Sequence, residues 1–335
     1  MRFRFILSGT LPALVLAGAS LCAAQAAQQQ KAPQPFTVPS APAAPGEPRF
    51  PPVDKANFTA DSPTAETVNA FLKASWGYDN SRVWEVYAIE KTPVEGLSKV
   101  LVLVAQREHP QQIANLSFFV APDGKHLIAN ESVLDFGAQP YAPANQVLQQ
   151  RADGPSRGAS AKQFELVEFA DFECPHCKAA QPIVDKLLKD FPQAHFVFQN
   201  FPLVRIHPAA YQAANYGLCV AKQGGNDAFF KYADAVFNSQ EQLPAGVEKT
   251  LAAAVTTAGQ DPAKVSACAA SAEGKAAVDA SLKLAQDLHV DQTPMLYIDG
   301  RPIPIGGVVD GPATGGALSY DQLKEIITYQ FSLDK

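Results

Sequence analysis

The sequence contains no long run of basic residues, and its formal net charge is −6. Nucleic-acid-binding surfaces need clustered positive charge, so this composition argues against a nucleic acid as partner. Charged residues make up only 18% of the chain, whereas apolar residues make up 47%. A chain of 335 residues with this apolar content can bury a sizeable core, and its length suggests two domains rather than one.

The apolar stretch at the N-terminus is too short to span a membrane. Small or turn-forming residues interrupt it: Ser8, Gly9, Thr10 and Pro12. Only about residues 11–21 remain, fewer than the ~18–20 that a span requires. Arg2 and Arg4 precede this stretch, and Ala24-Gln25-Ala26 follows it as a small-x-small cleavage pattern. These features predict a signal peptide over residues 1–26 and a location in the periplasm or another extracytoplasmic space. An N-terminal membrane anchor is the alternative.

Cysteines are few, five in all. Cleavage near Ala26 would remove Cys22 and leave Cys174, Cys177, Cys219 and Cys268. An even number of cysteines in an exported chain is typical of disulfide pairing. The chain has no His-x-x-x-His sequence and no second closely spaced cysteine pair. A tetrahedral metal site needs such additional ligands, so the sequence predicts no metal site.

The first half of the chain predicts a tether followed by a small domain. Residues 27–58 are rich in proline, alanine and glutamine, which predicts an extended linker. A helix with one apolar face should begin at Ser62-Pro63. The runs that follow it predict an antiparallel meander: Val83–Lys91, Leu97–Arg107, Ile113–Val120 and Lys125–Ala129. Together these elements predict a small α+β domain over residues 59–150.

The second half predicts a separate unit with alternating strands and helices. Residues 151–162 contain glycine, proline, serine and charge, which predicts an interdomain linker. The unit itself should cover residues 163–335. Its predicted elements include two strands, a hairpin and a final helix with a capping box: Phe164–Ala170, His195–Phe201, Met295–Ile298 with Arg301–Ile305, and a helix from Ser319. An alanine-rich helical stretch separates the second strand from the hairpin.

The chemical signal lies where the first strand of this unit meets a helix, at Cys174-Pro175-His176-Cys177. Two cysteines at this spacing can close a short disulfide, with the first thiol exposed and the second partly buried. The helix dipole and free backbone N–H groups stabilise a thiolate at Cys174 and can lower its pKa from ~8.5 into the ~3.5–7.5 range. A stabilised thiolate makes the corresponding disulfide a strong oxidant.

The two residues between the cysteines can tune this chemistry. His176 can donate a hydrogen bond to the thiolate or act as a nearby cation, and Pro175 stiffens the turn. An exposed histidine without a role is the alternative for His176.

The residues from Leu166 to Cys177 read LVEFADFECPHC and resemble the approach to the active site of DsbA-type disulfide oxidoreductases. Later segments resemble landmarks of the same family in the same order: Asn200-Phe201-Pro202-Leu203, His207-Pro208-Ala209-Ala210 and Thr293-Pro294. The resemblance covers about residues 164–335. It implies an α/β thioredoxin fold with a helical domain inserted at about residues 206–288, here preceded by the small α+β domain.

The same resemblance implies roles for residues outside the cysteine pair. Thr293-Pro294 would be a cis-proline pair that faces Cys174 and leaves the backbone of Thr293 free to bind a substrate strand. Glu168 lies where these families carry a buried carboxylate, which could accept the proton of Cys177. A strand-edge glutamate that faces water is the alternative for Glu168.

Cys219 and Cys268 both lie in the predicted helical insertion. An oxidising compartment and the absence of other partners predict that they form a structural disulfide. By the loop-entropy relation such a bridge would contribute roughly 4 kcal/mol. Two separately buried thiols are the alternative.

The expected function is therefore a thiol–disulfide oxidoreductase, without a cofactor, that forms or rearranges disulfides in exported proteins. A membrane redox partner would reoxidise or reduce the cysteine pair. One alternative is a disulfide isomerase or chaperone that forms a homodimer through the N-terminal domain, with an open strand edge at Leu97–Arg107. The other is a binding module in which the Cys174–Cys177 disulfide is structural.

Overall fold

The computed structural model describes residues 47–130, 132–312 and 317–333. The predicted signal peptide, residues 1–26, and most of the proline-rich tether lie outside these ranges. No helix within the described ranges is both long enough and apolar enough to cross a membrane. The described chain contains two five-stranded sheets, one built from residues 82–135 and the other from residues 156–304.

The first sheet is an antiparallel meander packed against one helix, with its strands in chain order. The elements of this unit are α1 (Ala65–Trp76), β1 (Arg82–Lys91), β2 (Ser98–Gln106), β3 (His109–Val120), β4 (His126–Ala129) and β5 (Ser132–Asp135). Helix α1 does not begin at Ser62-Pro63 as predicted. Thr64 is its N-cap, because the Thr64 side chain accepts a hydrogen bond from the N–H of Thr67.

Strand β2 lies inside the sheet, between β1 and β3. Its residues Val100 and Val102 are fully buried in the same core as Val68 and Leu72 of α1. The prediction of an open edge at Leu97–Arg107 is therefore wrong. Hairpin turns on both sides of β2 supply it with two neighbours, and β5 is an edge strand instead.

The first unit begins earlier than the predicted boundary at residue 59. A short 3-10 helix, Lys55–Asn57, lies within the segment predicted as tether, residues 27–58. Phe58 then forms a parallel bridge with Ile89 of β1. A single bridge leaves no periodic pattern in a sequence, so composition alone assigned these residues to the linker.

The first unit also ends earlier than the predicted boundary at residue 150. Helix α2 (Ala142–Arg151) buries Leu148 in a core that includes Val167 and Phe169 of the second sheet. Helix α2 therefore belongs with the second unit, although no feature of its sequence identifies the sheet against which it packs.

The predicted linker over residues 151–162 contains a strand. Strand β6 (Ser156–Gly158) pairs antiparallel with a central strand of the second sheet, at Val197 and His195. A strand of three residues in a glycine-, proline- and serine-rich segment is too short to show an alternating pattern. The linker prediction is corrected accordingly.

The remaining elements are β7 (Glu165–Ala170), α3 (Pro175–Asp190), β8 (His195–Asn200), α4 (Ala210–Asn238), α5 (Val247–Thr257), α6 (Pro262–Ala270), α7 (Ala272–Asp287), β9 (Met295–Ile298), β10 (Arg301–Pro304) and α8 (Tyr320–Leu333). The second sheet has the strand order β10-β9-β7-β8-β6. Its parallel centre consists of β7 and β8, and β9 pairs antiparallel with β7. All residues of β7 and β8 are buried, as expected for strands covered on both faces.

The helices α4 to α7 form an insertion between β8 and β9. They place the insertion at residues 210–287, close to the predicted range of about 206–288. A disulfide between Cys219 of α4 and Cys268 of α6 joins two of these helices. Helix α8 begins with the predicted capping box, in which Ser319 and Gln322 exchange hydrogen bonds between side chain and backbone.

The two units contact each other through the buried residue Arg301 of β10. Its guanidinium donates a hydrogen bond of 2.7 Å to the carbonyl oxygen of Ser75, in the last turn of α1. The same guanidinium lies over the rings of Tyr78 and Tyr141, at 4.9 and 5.2 Å from their centroids. The first unit is therefore packed directly against the second sheet.

Candidate active site

Cys174 is the N-cap of α3, at the end of a short turn that leaves β7. Pro175 occupies the first helical position, where no backbone N–H is required. Both Cys174 and Cys177 are free thiols in this structure. Cys177 is fully buried, and Cys174 is only 5% exposed, less than the sequence predicted. The loop that carries Thr293 lies over Cys174, since the Sγ of Cys174 is 3.6 Å from the carbonyl oxygen of Thr293.

The two thiols differ strongly in their acidity. A hydrogen bond from the Cys177 thiol is the main reason that the pKa of Cys174 is lowered to about 5. Hydrogen bonds with Thr293 and with the backbone N–H groups of Cys177 and His176 lower this pKa further, against the effect of burial. Burial is the main reason that the pKa of Cys177 is raised well above its ordinary value. Cys174 is therefore suited to be the nucleophile, and Cys177 remains protonated.

Glu168 lies in β7, beneath the cysteine pair, and is completely buried. Burial raises the pKa of Glu168 to about 7. The side-chain amide of Gln181 donates a hydrogen bond of 3.4 Å to Oε1 of Glu168, while Oε2 has no hydrogen-bond partner among the described residues. The carboxyl group faces the protein interior because β7 is a central strand. The charge of the Glu168 carboxylate in turn raises the pKa of Cys177, so the ionisation of the two groups is coupled.

The Thr293–Pro294 peptide bond is cis and precedes β9. Antiparallel pairing of β9 with β7 brings Met295 opposite Phe169, and so brings this bond to the end of β7 where Cys174 lies. Gly306 packs against the same site. A Cβ atom at Gly306 would lie 2.9 Å from Cδ of Pro294 and 3.0 Å from Cβ of His176, so only glycine fits this approach.

The side chains of Pro175 and His176 are exposed beside the buried cysteines. They are thus available to a molecule that approaches Cys174. The backbone N–H of His176 is among the groups that lower the pKa of Cys174.

The sequence analysis missed a set of polar contacts on the other side of Cys174. The buried carboxylate of Asp171 accepts hydrogen bonds from the N–H of Leu203 at 2.7 Å and from Nδ1 of His207 at 2.8 Å. The amide of Gln240 donates to two backbone carbonyl groups of the same turn. Asp171 lies three residues before Cys174, within the DsbA-like segment of residues 166–177, so its position was visible in the sequence. Gln240 gives no local signal, because its partners lie 66 and 68 positions away.

The disulfide between Cys219 and Cys268 lies within the insertion and does not involve the reactive pair. Cys219 is buried in the core that the insertion shares with the second sheet. Within the described ranges, no group of three or more His, Cys, Asp or Glu side chains is arranged to hold a metal ion.

Fold and site together define a thioredoxin-fold protein with two closely spaced free cysteines at the start of a helix. Residues 150–328 match the model of a family described as thioredoxin. Because this match covers more than half of the chain, the chain belongs to that family. The predicted fold class, an α/β thioredoxin fold with inserted helices, is confirmed.

Two kinds of curated protein resemble the chain. It is 38% identical over 87 residues to the Na(+)/H(+) antiporter NhaA 3 of Salinispora tropica, a match that covers 26% of this chain and 13% of the antiporter. The chain thus spans only a small fraction of the curated relatives that it matches first. It is 27% identical over 189 residues to the thiol:disulfide interchange protein DsbA of Bordetella parapertussis, which covers 56% of this chain and 84% of that protein.

Solved structures are similar to the chain at lower identity. ScsC of Proteus mirabilis is 23% identical, with a TM-score of 0.46, and the match covers 58% of this chain and 78% of that one. BdbD of Bacillus subtilis is 22% identical, with a TM-score of 0.44, and the match covers 53% of this chain and 93% of that one.

Proposed function

We propose that the chain is a thiol–disulfide oxidoreductase that forms or rearranges disulfides in exported polypeptides. This proposal is supported most directly by the difference in pKa between the two thiols at the start of α3, one lowered and the other raised. Cys174, with its pKa lowered to about 5, is a thiolate at neutral pH, whereas burial keeps Cys177 protonated. The similarity to a protein named as a thiol:disulfide interchange protein supports the same activity.

The reaction begins with a disulfide between Cys174 and Cys177. A substrate thiolate attacks Sγ of Cys174, the bond between the two cysteines breaks, and its electron pair moves to Sγ of Cys177. Glu168, whose pKa is about 7, supplies the proton that Cys177 takes up. A second substrate thiolate then attacks the substrate sulfur that is bound to Cys174. The substrate leaves with a new disulfide, and Cys174 leaves as a thiolate that carries the transferred electron pair.

Rearrangement combines this oxidation with its reverse, the reduction of a substrate disulfide, so that one substrate disulfide is broken and another is formed. The reduction uses the reverse proton transfer. The Cys174 thiolate attacks a substrate disulfide, and a substrate thiolate departs. Cys177 can then attack Cys174 and release the substrate, while the Glu168 carboxylate accepts the proton of Cys177. In this assignment the backbone at Thr293-Pro294 binds the substrate strand, and no cofactor takes part.

The proposed substrates are exported proteins, and a membrane redox partner returns the cysteine pair to its starting state. The small-x-small pattern after an apolar N-terminal stretch supports an extracytoplasmic location. The low pKa of Cys174 favours an oxidase, because it stabilises the reduced form and so makes the disulfide a stronger oxidant.

A second candidate, a homodimeric isomerase, is supported by an exposed apolar row on the first sheet. Phe119, Ile128 and Val133 are directly opposite one another on β3, β4 and β5. They are 38%, 37% and 65% exposed, and β5 is an edge strand. An exposed apolar edge of this kind is suited to pairing with a second copy.

Replacement of each reactive cysteine tests the proposed activity. In the mature chain, Cys174→Ser should abolish exchange with a reduced, unfolded substrate protein. Cys177→Ser, when it is given a substrate that contains a disulfide, should instead accumulate a mixed disulfide through Cys174, because the Cys174 thiolate attacks that bond and the resolving thiol is missing. Non-reducing electrophoresis with mass spectrometry measures both outcomes. Mixed disulfides that form through Cys177 when Cys174 is absent would reverse the assignment.

A further inference from the structure

We infer that Gln240, a residue of the helical insertion, positions the reactive centre by holding the backbone on both sides of Glu173. It lies in the 3-10 helix Gln240–Ala245, which follows α4, and it is 8% exposed. The inference rests on the proposed function for its catalytic meaning, since it concerns the nucleophile of that reaction.

Both N–H bonds of the Gln240 amide are directed at the turn before α3. Nε2 donates to the carbonyl oxygen of Phe172 at 2.8 Å and to the carbonyl oxygen of Cys174 at 3.0 Å. A side-chain amide has two donor hydrogens, so this pair of bonds uses its full donor capacity. A buried glutamine that served only to fill space would not need two backbone acceptors in one turn.

The carbonyl group of Cys174 is also the one at which α3 begins. It accepts hydrogen bonds from the N–H groups of Cys177 at 3.1 Å and of Lys178 at 3.2 Å. The bond from Gln240 therefore holds the peptide unit that sets the direction of the first helical turn. The N–H groups of that turn include those that stabilise the thiolate of Cys174.

The opposite side of the same turn is held by the connection between β8 and α4. Asp171 accepts hydrogen bonds from this connection, as described above, and Oε2 of Glu173 accepts one of 2.5 Å from the N–H of Ala209. The connection and the insertion thus bind residues 171–174 from two directions. Gln240 differs from the other contacts because it reaches the backbone of Cys174 itself.

This geometry predicts that loss of the amide weakens the thiolate even when the protein stays folded. Gln240→Met keeps the length of the side chain but cannot donate. We expect the pKa of Cys174 to rise above about 5, with a roughly five- to tenfold decrease in its acid dissociation constant, the size expected from a lost hydrogen bond. The fraction of reduced protein in a fixed glutathione mixture should fall in parallel, because the reduced form is less stabilised.

The test compares reduced wild-type protein, Gln240→Met, Gln240→Glu and the control Gln242→Ala. Gln242 lies in the same 3-10 helix but is exposed. Ultraviolet thiolate absorbance gives the Cys174 titration, while circular dichroism and the melting temperature report folding. Gln240→Glu keeps the side-chain shape but places a carboxyl group against two carbonyl groups. The pKa of Cys174 should therefore rise at least as much in Gln240→Glu as in Gln240→Met. Gln242→Ala should titrate like the wild type.

An unchanged Cys174 titration in folded Gln240→Met, or an equal rise in Gln242→Ala, would overturn the positioning role. The titration needs no substrate. If wild-type protein fails to exchange disulfides with polypeptides, the proposed function falls, but the titration still decides the role of Gln240.

Discussion

At the scale of single residues, Cys174 should be a much stronger acid than a free cysteine thiol. Its alkylation rate should rise with pH through a midpoint at about 5 and level off by neutral pH, because the thiolate is the reactive form. His176→Ala should move this midpoint upward by less than about one pH unit, because salt screens the effect of an exposed cation. Alkylation of the reduced protein, followed by mass spectrometry, measures the profile.

The same titration has a consequence for stability. The folded-state pKa of Cys174 lies below its unfolded-state value, so the reduced protein should gain stability over the oxidised protein as pH rises above about 5. The gain should disappear as pH falls through that midpoint. A midpoint near the ordinary thiol value of ~8.5 would contradict the strong-oxidant interpretation.

The buried carboxyl group of Glu168 should make stability depend on pH in the opposite sense. Its folded-state pKa of about 7 exceeds the unfolded value, so folding favours the protonated form and stability falls as pH rises between these values. Glu168→Gln, measured in the oxidised protein, should therefore be stabilising by up to about 3 kcal/mol at pH 8, with the difference vanishing near pH 4. Urea unfolding at several pH values tests this.

Glu168→Gln should also slow exchange at neutral pH, because the amide can neither supply nor accept the proton of Cys177. The matched control is Glu165→Gln, which alters another buried carboxyl group of the same strand. An equal loss of exchange in both variants would show that burial, and not proton transfer, is responsible.

At the scale of secondary-structure elements, the disulfide of the insertion should stabilise without taking part in exchange. It closes a loop with a sequence separation of 49 between α4 and α6. Replacement of both Cys219 and Cys268 by Ala should lower the free energy of unfolding by roughly 4 kcal/mol. Disulfide exchange by Cys174 and Cys177 should remain largely intact. Two free thiols at Cys219 and Cys268 in peptide maps of exported protein would contradict the pairing.

At the scale of the whole molecule, the first unit and the second sheet should behave as one body. The buried guanidinium of Arg301 bonds to the last turn of α1 and lies over two tyrosine rings. A truncated chain that starts at Gly158 would lose part of β6 and all of α2, which belong to the second unit, so such a truncation is a poor test of oligomeric state. Single substitutions in the full mature chain are the better experiment.

The exposed apolar row on the first sheet predicts self-association. The mature chain should sediment as a dimer, and Val133→Lys should shift it to a monomer because a charge is placed at the edge strand. Val94→Lys is the control, since Val94 is 59% exposed, close to the 65% of Val133, but lies in the turn between β1 and β2. A monomeric wild-type chain at all concentrations would remove the dimeric isomerase and leave the oxidase proposal.

The sequence by itself determined the position of the closely spaced cysteine pair and most of the order of elements. A Cys-x-x-Cys pair at a helix start predicts thiol chemistry, because the spacing and the helix terminus are both local features. Alternating and helical periodicities likewise placed β1, β2 and the hairpin of β9 with β10 within a few residues, because these patterns are set by each segment's own geometry.

Only the tertiary structure decided which segments become neighbours. The interior position of β2, the pairing of β6 with β8 and the packing of α2 depend on partners that lie far along the chain. The acidity of Cys174 depends in part on Thr293, 119 positions away, and on burial that no local pattern records. Sequence periodicity reports which face of a segment is apolar, whereas sheet order, burial and hydrogen-bond partners arise from long-range contacts.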